Sequence, residues 1–252
     1  MNPDLDLAER AAREAGKVLL GYYGLEPRGL GSKSSETDMV SDADREAERA
    51  IRELLESERP RDGLLAEEGS RSDADSGRRW IVDPLDGTIN FLYGFPAWAV
   101  SIALEDGDGL AVGVVHSPVH EETFCAVRGE GTRLGDKSLR VNEIGELSRA
   151  MVATGFSYEA ERRAEQAEVM LRVLPRARDI RRAGAAALDL AWVAAGRVDA
   201  FFERGLNPWD LAAGQLLVEE AGGAVLALEG TPPGVIAAAN HALLDDLAEL
   251  VG

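Results

Sequence analysis

The chain has 252 residues, 45% of them hydrophobic and 29% charged, enough for one large domain or two small ones sharing a sheet. Its formal net charge of -18 argues against nucleic acid and anionic membrane surfaces as partners. A single cysteine, Cys125, excludes an intramolecular disulfide and fits a reducing compartment. Met1 to Glu9 has no apolar targeting segment, and the apolar run 185–195 is interrupted by Asp189 and too short for a bilayer, so a cytoplasmic location is expected.

Leu5, Ala8, Ala12, Ala15 and Leu19 recur at a helical period over residues 5–22. The polar, Gly-rich stretch from Gly24 to Thr37 reads as a mobile loop. Ser41 can cap a second helix, with Asp42 and Asp44 in its first turn and Ala43, Ala47, Ile51 and Leu54 as its buried stripe. Residues 63–66 are a short strand candidate ending at Glu67-Glu68, and 71–77 a polar connection. Trp80-Ile81-Val82 delivers Asp83 to a strand end, where Pro84 is expected to stop ladder bonding. Strands follow at 97–104, 110–115 and 122–127, with Gly107-Asp108-Gly109 as a hairpin turn. Beyond Ala150 come a strand at 151–154, helices at 159–174 and 185–195, and a strand at 198–202. A helix at 210–221, strands at 224–228 and 235–239, and a helix at 241–250 complete the chain. Mixed sheets layered with helices are the expected architecture.

Four acidic motifs carry the chemistry. The richest is WIVDPLDGTINF, Trp80 to Phe91, which sets Asp83, Asp86 and Thr88 on a turn that Gly87 allows to bend tightly. Two carboxylates and a hydroxyl suit a hard divalent cation such as magnesium. Asp86, Gly87 and Thr88 could also present amides to a phosphate if a short helix begins there. The other pieces are Glu67-Glu68, Asp38 with Asp44, and Trp209-Asp210. Taken singly each has an ordinary reading, since acidic pairs are usually solvated surface and a DPxDG string is more often a turn.

Together, WIVDPLDGTINF resembles the D-P-[IL]-D-G-T-x-N-F signature of the inositol monophosphatase family. NPWDLAAGQLLVEEAGG (Asn207 to Gly223) resembles its second signature, SKSSETDMVSDAD (Ser32 to Asp44) its K-x-S-x-x-D-x-V-T-x-x-D loop, and AEEGS at Ala66 its G-E-E-S. The resemblance covers nearly the whole chain in the correct order. It implies an α+β fold, a layered αβαβα sandwich of the inositol monophosphatase and sugar phosphatase type. It implies one domain over 1–252, divisible into an α+β half (1–145) with most metal ligands and an α/β half (146–252) with substrate contacts.

The implied activity is Mg2+-dependent hydrolysis of small phosphate monoesters by metal-activated water, best represented by inositol 1-phosphate. Fructose 1,6-bisphosphatase, histidinol-phosphatase and NADP phosphatase activities are alternatives, as is a non-enzymatic regulatory role. Such an acidic protein needs metal to bring phosphates in, and two or three ions are implied. Glu67, Asp83, Asp86 and Asp210 would ligate them by carboxylate and Leu85 by its carbonyl, with Glu68 in support. Thr88 would hold the nucleophilic water, with Asp44 orienting it and Glu67 completing the catalytic set. Asp86, Gly87, Thr88, Gly184, Ala186, Glu203 and Asp210 would meet substrate, Glu203 through a polyol hydroxyl. Lys33 and Asp38 would belong to a mobile loop closing the site. A homodimer, lithium inhibition and a phosphorylated polyol or sugar as small-molecule partner follow from the same resemblance. Ala66, Ile89 and Ala185 depart from the family pattern without removing a ligand.

Other features read as structural. His116 and His120 flank Pro118 beside a strand, not on a helix, and His241 opens the last helix. Gly129, Gly131 and Gly135 lack the Lys-Ser/Thr ending of a phosphate loop and read as hairpin turns. Arg172, Arg176, Arg178, Arg181 and Arg182 read mainly as solvated faces or complements of helix C-termini.

Overall fold

The computed structural model describes residues 2–26, 31–32 and 39–252, so Lys33 and Asp38 lie outside the described residues. The N-terminal part runs α1 (Pro3–Tyr22), β1 (Gly31–Ser32), β2 (Met39–Val40), α2 (Asp42–Glu58), β3 (Gly63–Ala66), β4 (Arg71–Ser72) and β5 (Arg79–Asp86). It continues through α3 (Thr88–Leu92), β6 (Ala99–Asp106), β7 (Gly109–Ser117), β8 (Glu122–Val127), β9 (Gly131–Leu134) and β10 (Lys137–Ser138). Next come β11 (Met151–Thr154), α4 (Ala160–Val173), β12 (Asp179–Arg181), α5 (Ala186–Ala194) and β13 (Ala200–Arg204). α6 (Pro208–Glu220), β14 (Ala224–Leu228), β15 (Gly234–Ala238) and α7 (His241–Val251) complete it.

Two mixed sheets form the frame, one of eight strands in the order β10-β9-β8-β7-β6-β5-β3-β4 and one of five in the order β12-β11-β13-β15-β14. Their side chains sort into three cores, as a two-sided strand demands. Leu7, Ala11 and Ala15 of α1 and Ala47 and Ile51 of α2 pack with Trp80, Val82, Ile102 and Val114 on the outer face of the larger sheet. The opposite residues of those strands, Ile81, Ala103 and Val115, pack with α5 and α6 and with Phe201 and Ala237 of the smaller sheet. The far face of the smaller sheet, through Val152, Phe202 and Ile236, receives Met170 and Val173 of α4 and Leu243 and Leu247 of α7. The order is therefore helix, sheet, helix, sheet, helix: the layered α+β sandwich expected.

Small residues set the layer spacing. A Cβ at Gly214 of α6 would meet Leu190 of α5, and one at Gly113 of β7 would lie 2.8 Å from the Ala213 carbonyl, so the central helices press close to each other and to the sheet. The expected hairpin glycines sit at turns between β6 and β7, β8 and β9, and β9 and β10. His116 is buried against α1, with Nδ1 at 3.0 Å from Thr123 Oγ1, and desolvation lowers its pKa to about 4.

One expectation is corrected here. Pro84 does not end its strand, because β5 runs on to Asp86. The ladder with β6 pairs Asp83 with Ser101 and next Asp86 with Ala99, so Pro84, which has no N–H to donate, sits in a bulge. The extra residue re-aims the strand end that carries Leu85 and Asp86. The short strands β1, β2, β4, β9, β10 and β12 add to the elements read from the sequence, β1 within the stretch 24–37 read as a loop.

Candidate active site

Asp83 and Asp86 sit at the bulged end of β5, and Asp210 is the third residue of α6. One carboxylate oxygen from each lies within 4.8 Å of the others. Asp83 is 1% and Asp86 7% exposed, and among the described residues neither makes an ion pair with Lys or Arg. Burial first, and then the charges of Glu67, Asp86 and Asp210, push the Asp83 carboxyl well above its usual range. Burial likewise pushes Asp86 up to about 7, opposed by the backbone N–H of Ala187. Three converging carboxylates, two of them buried, form a hard, all-oxygen donor set, which fits a divalent cation of the magnesium type.

Local chain geometry fixes each group. Asp83 Oδ1 accepts the Leu85 N–H at 2.9 Å, which folds the bulge around its own first residue. Gly87 follows at φ 88°, ψ 38°, where an added Cβ would also lie 2.9 Å from the Ala97 carbonyl. That turn starts α3, as the sequence suggested, and buries Thr88. Thr88 Oγ1 lies 3.2 Å from Asp44 Oδ1 and 3.1 Å from the Leu85 carbonyl, so its single proton serves one acceptor or the other.

Asp44 and Asp210 are set by the same device. Each is the third residue of its helix and closes a capping box. Asp44 Oδ2 accepts Ser41 N at 2.9 Å and Ser41 Oγ at 2.6 Å, leaving Oδ1 for Thr88. Asp210 Oδ2 accepts Asn207 N at 2.6 Å, which fixes the carboxylate that takes part in the cluster. A cap at a helix N-terminus thus also locks a site rotamer.

The second half of the chain is tied to this loop by Asp86 and Asn90. Ala185, at the N-cap of α5, has no side-chain acceptor, and Asp86 replaces it: Oδ1 accepts Ala186 N at 3.1 Å and Oδ2 accepts Ala187 N at 2.8 Å. Asn90 Nδ2 lies 2.6 Å from the Ala97 carbonyl, 2.9 Å from that of Ala183 and 3.3 Å from that of Gly184.

A cavity of about 220 Å³ opens over the cluster. Glu67, Asp83, Leu85, Asp86, Gly87, Thr88 and Asp210 line one side, and Gly184, Ala186 and Glu203 another. Burial, then Asp210, push Glu203 up to about 8, while Arg182 acts in the opposite direction. Of the residues singled out from the sequence, Glu68 does not line this cavity; its N–H is held by Glu48 from α2 at 2.7 Å. Sequence reasoning missed Glu48, the reach of Asn90, and Asp189, a buried carboxyl pushed well up by desolvation and by Asp86 and Glu203. Only Glu48 left a signal, an acid four residues after Asp44 on a stripe otherwise made of Ala47 and Ile51.

Residues 1–251 match the Inositol monophosphatase family. The chain belongs to the inositol monophosphatase family. It is 43% identical over 253 residues to the inositol-1-monophosphatase of Rhizobium meliloti, covering 98% of this chain and 95% of that one. It is 42% identical over 232 residues to the Nus factor SuhB of Pasteurella multocida, covering 91% and 87%. The extragenic suppressor protein suhB of Bartonella henselae has the same fold at a TM-score of 0.91 and 40% identity, over 98% of this chain and 97% of that one. The IMPase of Thermotoga maritima follows at 0.89 and 33% identity, over 98% and 96%. Among the described residues, no helix of this family member is long and apolar enough to cross a membrane.

Proposed function

We propose that this protein hydrolyses small phosphate monoesters with magnesium, inositol 1-phosphate being the best single substrate. One observation carries the reading: three carboxylates, those of the buried Asp83 and Asp86 and the half-buried Asp210, converge beside a hydrogen-bonded Thr88–Asp44 pair, on the floor of a cavity. Family membership and the Rhizobium relative's name support it. Glu67, Asp83, Asp86, Asp210 and the Leu85 carbonyl would hold the cations. When bound, these would acidify a water molecule and neutralise charge on the phosphate.

The chain's own groups do the rest. Thr88 Oγ1 gives its proton to Asp44 Oδ1, so its lone pairs face outward to accept a hydrogen bond from the attacking water and aim it. Asp44 is held in that role by Ser41 and cannot rotate away without losing two bonds. Asp86 and the Gly184–Ala186 turn bound the phosphate side, and Glu203 meets a hydroxyl of the departing polyol. Lithium inhibition and a homodimer belong to the same reading.

A second reading rests on the Pasteurella relative, whose name, Nus factor, is not that of a hydrolase. A regulatory role would leave the cavity without turnover. The test is phosphate release with and without magnesium over inositol 1-phosphate, fructose 1,6-bisphosphate, histidinol phosphate and NADP. Magnesium-dependent release that is lost in Asp86→Asn supports the phosphatase. Silence on all four from folded, magnesium-binding protein favours the regulatory reading.

A further inference from the structure

Helix α2 carries two buried acids one turn apart, Asp44 and Glu48, at 0% and 5% exposure. Like charges at that spacing repel and weaken a helix, and burial adds a desolvation penalty. Asp44 is explained by Ser41 and Thr88. Glu48 has no salt bridge among the described residues. Among the described residues its oxygens accept only backbone N–H groups: Oε2 takes Glu68 N at 2.7 Å and Oε1 takes Ser70 N at 3.0 Å.

Those amides belong to the turn that follows Glu67. The turn is closed by Ala66 N donating to the Ser70 carbonyl at 2.9 Å, and Gly69 occupies φ 107° within it. Amides converging on one side of a turn make an anion-binding concavity, and Glu48 fills it from the neighbouring helix. On the other side, Glu67 N donates to the Val82 carbonyl of β5 at 3.2 Å, next to Asp83. The backbone at Glu67 is therefore held from the sheet by Val82 and from α2 by Glu48.

We infer that Glu48 is a positioning residue for the metal centre: by gripping the turn through Glu68 and Ser70, it fixes where the Glu67 carboxylate meets the cluster of Asp83, Asp86 and Asp210. The inference rests on the reading of Glu67 as a metal ligand. It gives α2 one task at two levels, with Asp44 aligning the hydroxyl and Glu48 aligning a ligand one turn later. A carboxylate is required because two donors need two acceptors. Glutamine offers one oxygen, and its amide group would confront the second N–H.

The test is calorimetric titration of metal-free protein with magnesium, in wild type, Glu48→Gln, Glu48→Asp and Ile51→Val. Ile51 lies on the same helix in the same core, and its truncation loosens α2 without touching the turn. Glu48→Gln is expected to weaken magnesium binding about tenfold or more. Its turnover at saturating magnesium should stay within about threefold of wild type, since the misplaced ligand is compensated by mass action. Glu48→Asp, too short to bridge both amides, is expected to weaken binding as well, and it carries the test if the glutamine variant does not fold. Ile51→Val should lower the melting temperature and leave magnesium affinity unchanged. Folded Glu48 variants that bind magnesium within twofold of wild type would overturn the inference, as would equal weakening in Ile51→Val. A wild type that binds no magnesium sinks the metal reading itself, a distinct and separately visible failure.

Discussion

Raising the pH on metal-free protein is expected to weaken the fold across a window where most acidic proteins are indifferent. Asp86 is raised from 3.8 to about 7 and Glu203 from 4.5 to about 8, first of all by burial, and Asp83 and Asp189 move in the same direction. In the unfolded chain these carboxyls are ionised well below neutrality. Between their unfolded and folded values the native state therefore binds more protons, and its stability falls as pH rises. From pH ~6 to ~8, Asp86 and Glu203 together lose about 4 kcal/mol. His116, lowered by burial to about 4, acts the other way because its unfolded form loses a proton in the lower part of this window. It returns about 1 kcal/mol. The net, about 3 kcal/mol, corresponds to a melting temperature lower by roughly 6–12 °C for a chain of this size. Thermal melts in chelator at several pH values read this directly. Saturating magnesium should flatten the slope, because a bound cation holds Asp83 and Asp86 ionised throughout. Metal-free melts that stay level or rise over the window, or a slope that magnesium leaves unchanged, would refute the reasoning.

Other expectations concern single residues. Thr88→Ala should lower phosphate release by about 10²-fold or more while the melt moves little; unchanged turnover would remove the Thr88–Asp44 pair from the chemistry. Asp83→Asn and Asp86→Asn should both abolish magnesium-dependent release. In metal-free melts near pH 8 Asp86→Asn should be the less stable by about 1–3 kcal/mol, because its amide confronts an N–H of α5; the reverse order would contradict the capping role of Asp86. Asn90→Ala frees the carbonyls of Ala183 and Gly184 and should raise KM about tenfold without changing magnesium affinity by calorimetry. Gly155→Ala drives a Cβ into the Glu203 carboxylate, so steady-state kinetics should find a raised KM for a polyol phosphate, with magnesium affinity again unchanged.

What could be read from the sequence was what the chain decides locally. The turn at Gly87, the helix start at Ser41 and the alternation that builds two sheets each depend on a few adjacent residues, whereas α6 begins at Pro208, two residues before the start read at Asp210. The bulge at Pro84 was half legible: the missing N–H was plain, but whether the strand stops or steps aside depends on β6 offering Ala99 beyond the gap. The cap that Asp86 places on α5 spans 100 positions, and Asn90 reaches Ala183 across 93. No spacing rule encodes such contacts, because the partner is selected by tertiary packing. Glu48 was hidden differently. A glutamate in a charged helix is ordinary, and only the turn lying over it makes it unusual. Arg172 was legible in kind but not in target, since it complements the C-terminal end of α7, donating to Leu250 O at 2.9 Å.

The dual duty of the acidic residues bears on how such a site would age. Asp86 caps the N-terminus of α5 in place of a side chain at Ala185, Asp210 closes the box that starts α6, and Asp44 does the same for α2. A descendant that abandoned hydrolysis for another occupation would still be penalised for replacing them, by about 0.5–2 kcal/mol for each cap lost. Folding alone thus gives these aspartates a reason to persist, whether or not the site turns over. The positions free to drift first after loss of turnover are those with no such second employment, Glu203 foremost: desolvation and Asp210 push its carboxyl up to about 8, and among the described residues it caps no helix. If the proposed phosphatase reading holds, Glu203 would mark continuing turnover more sensitively than the acidic signatures themselves.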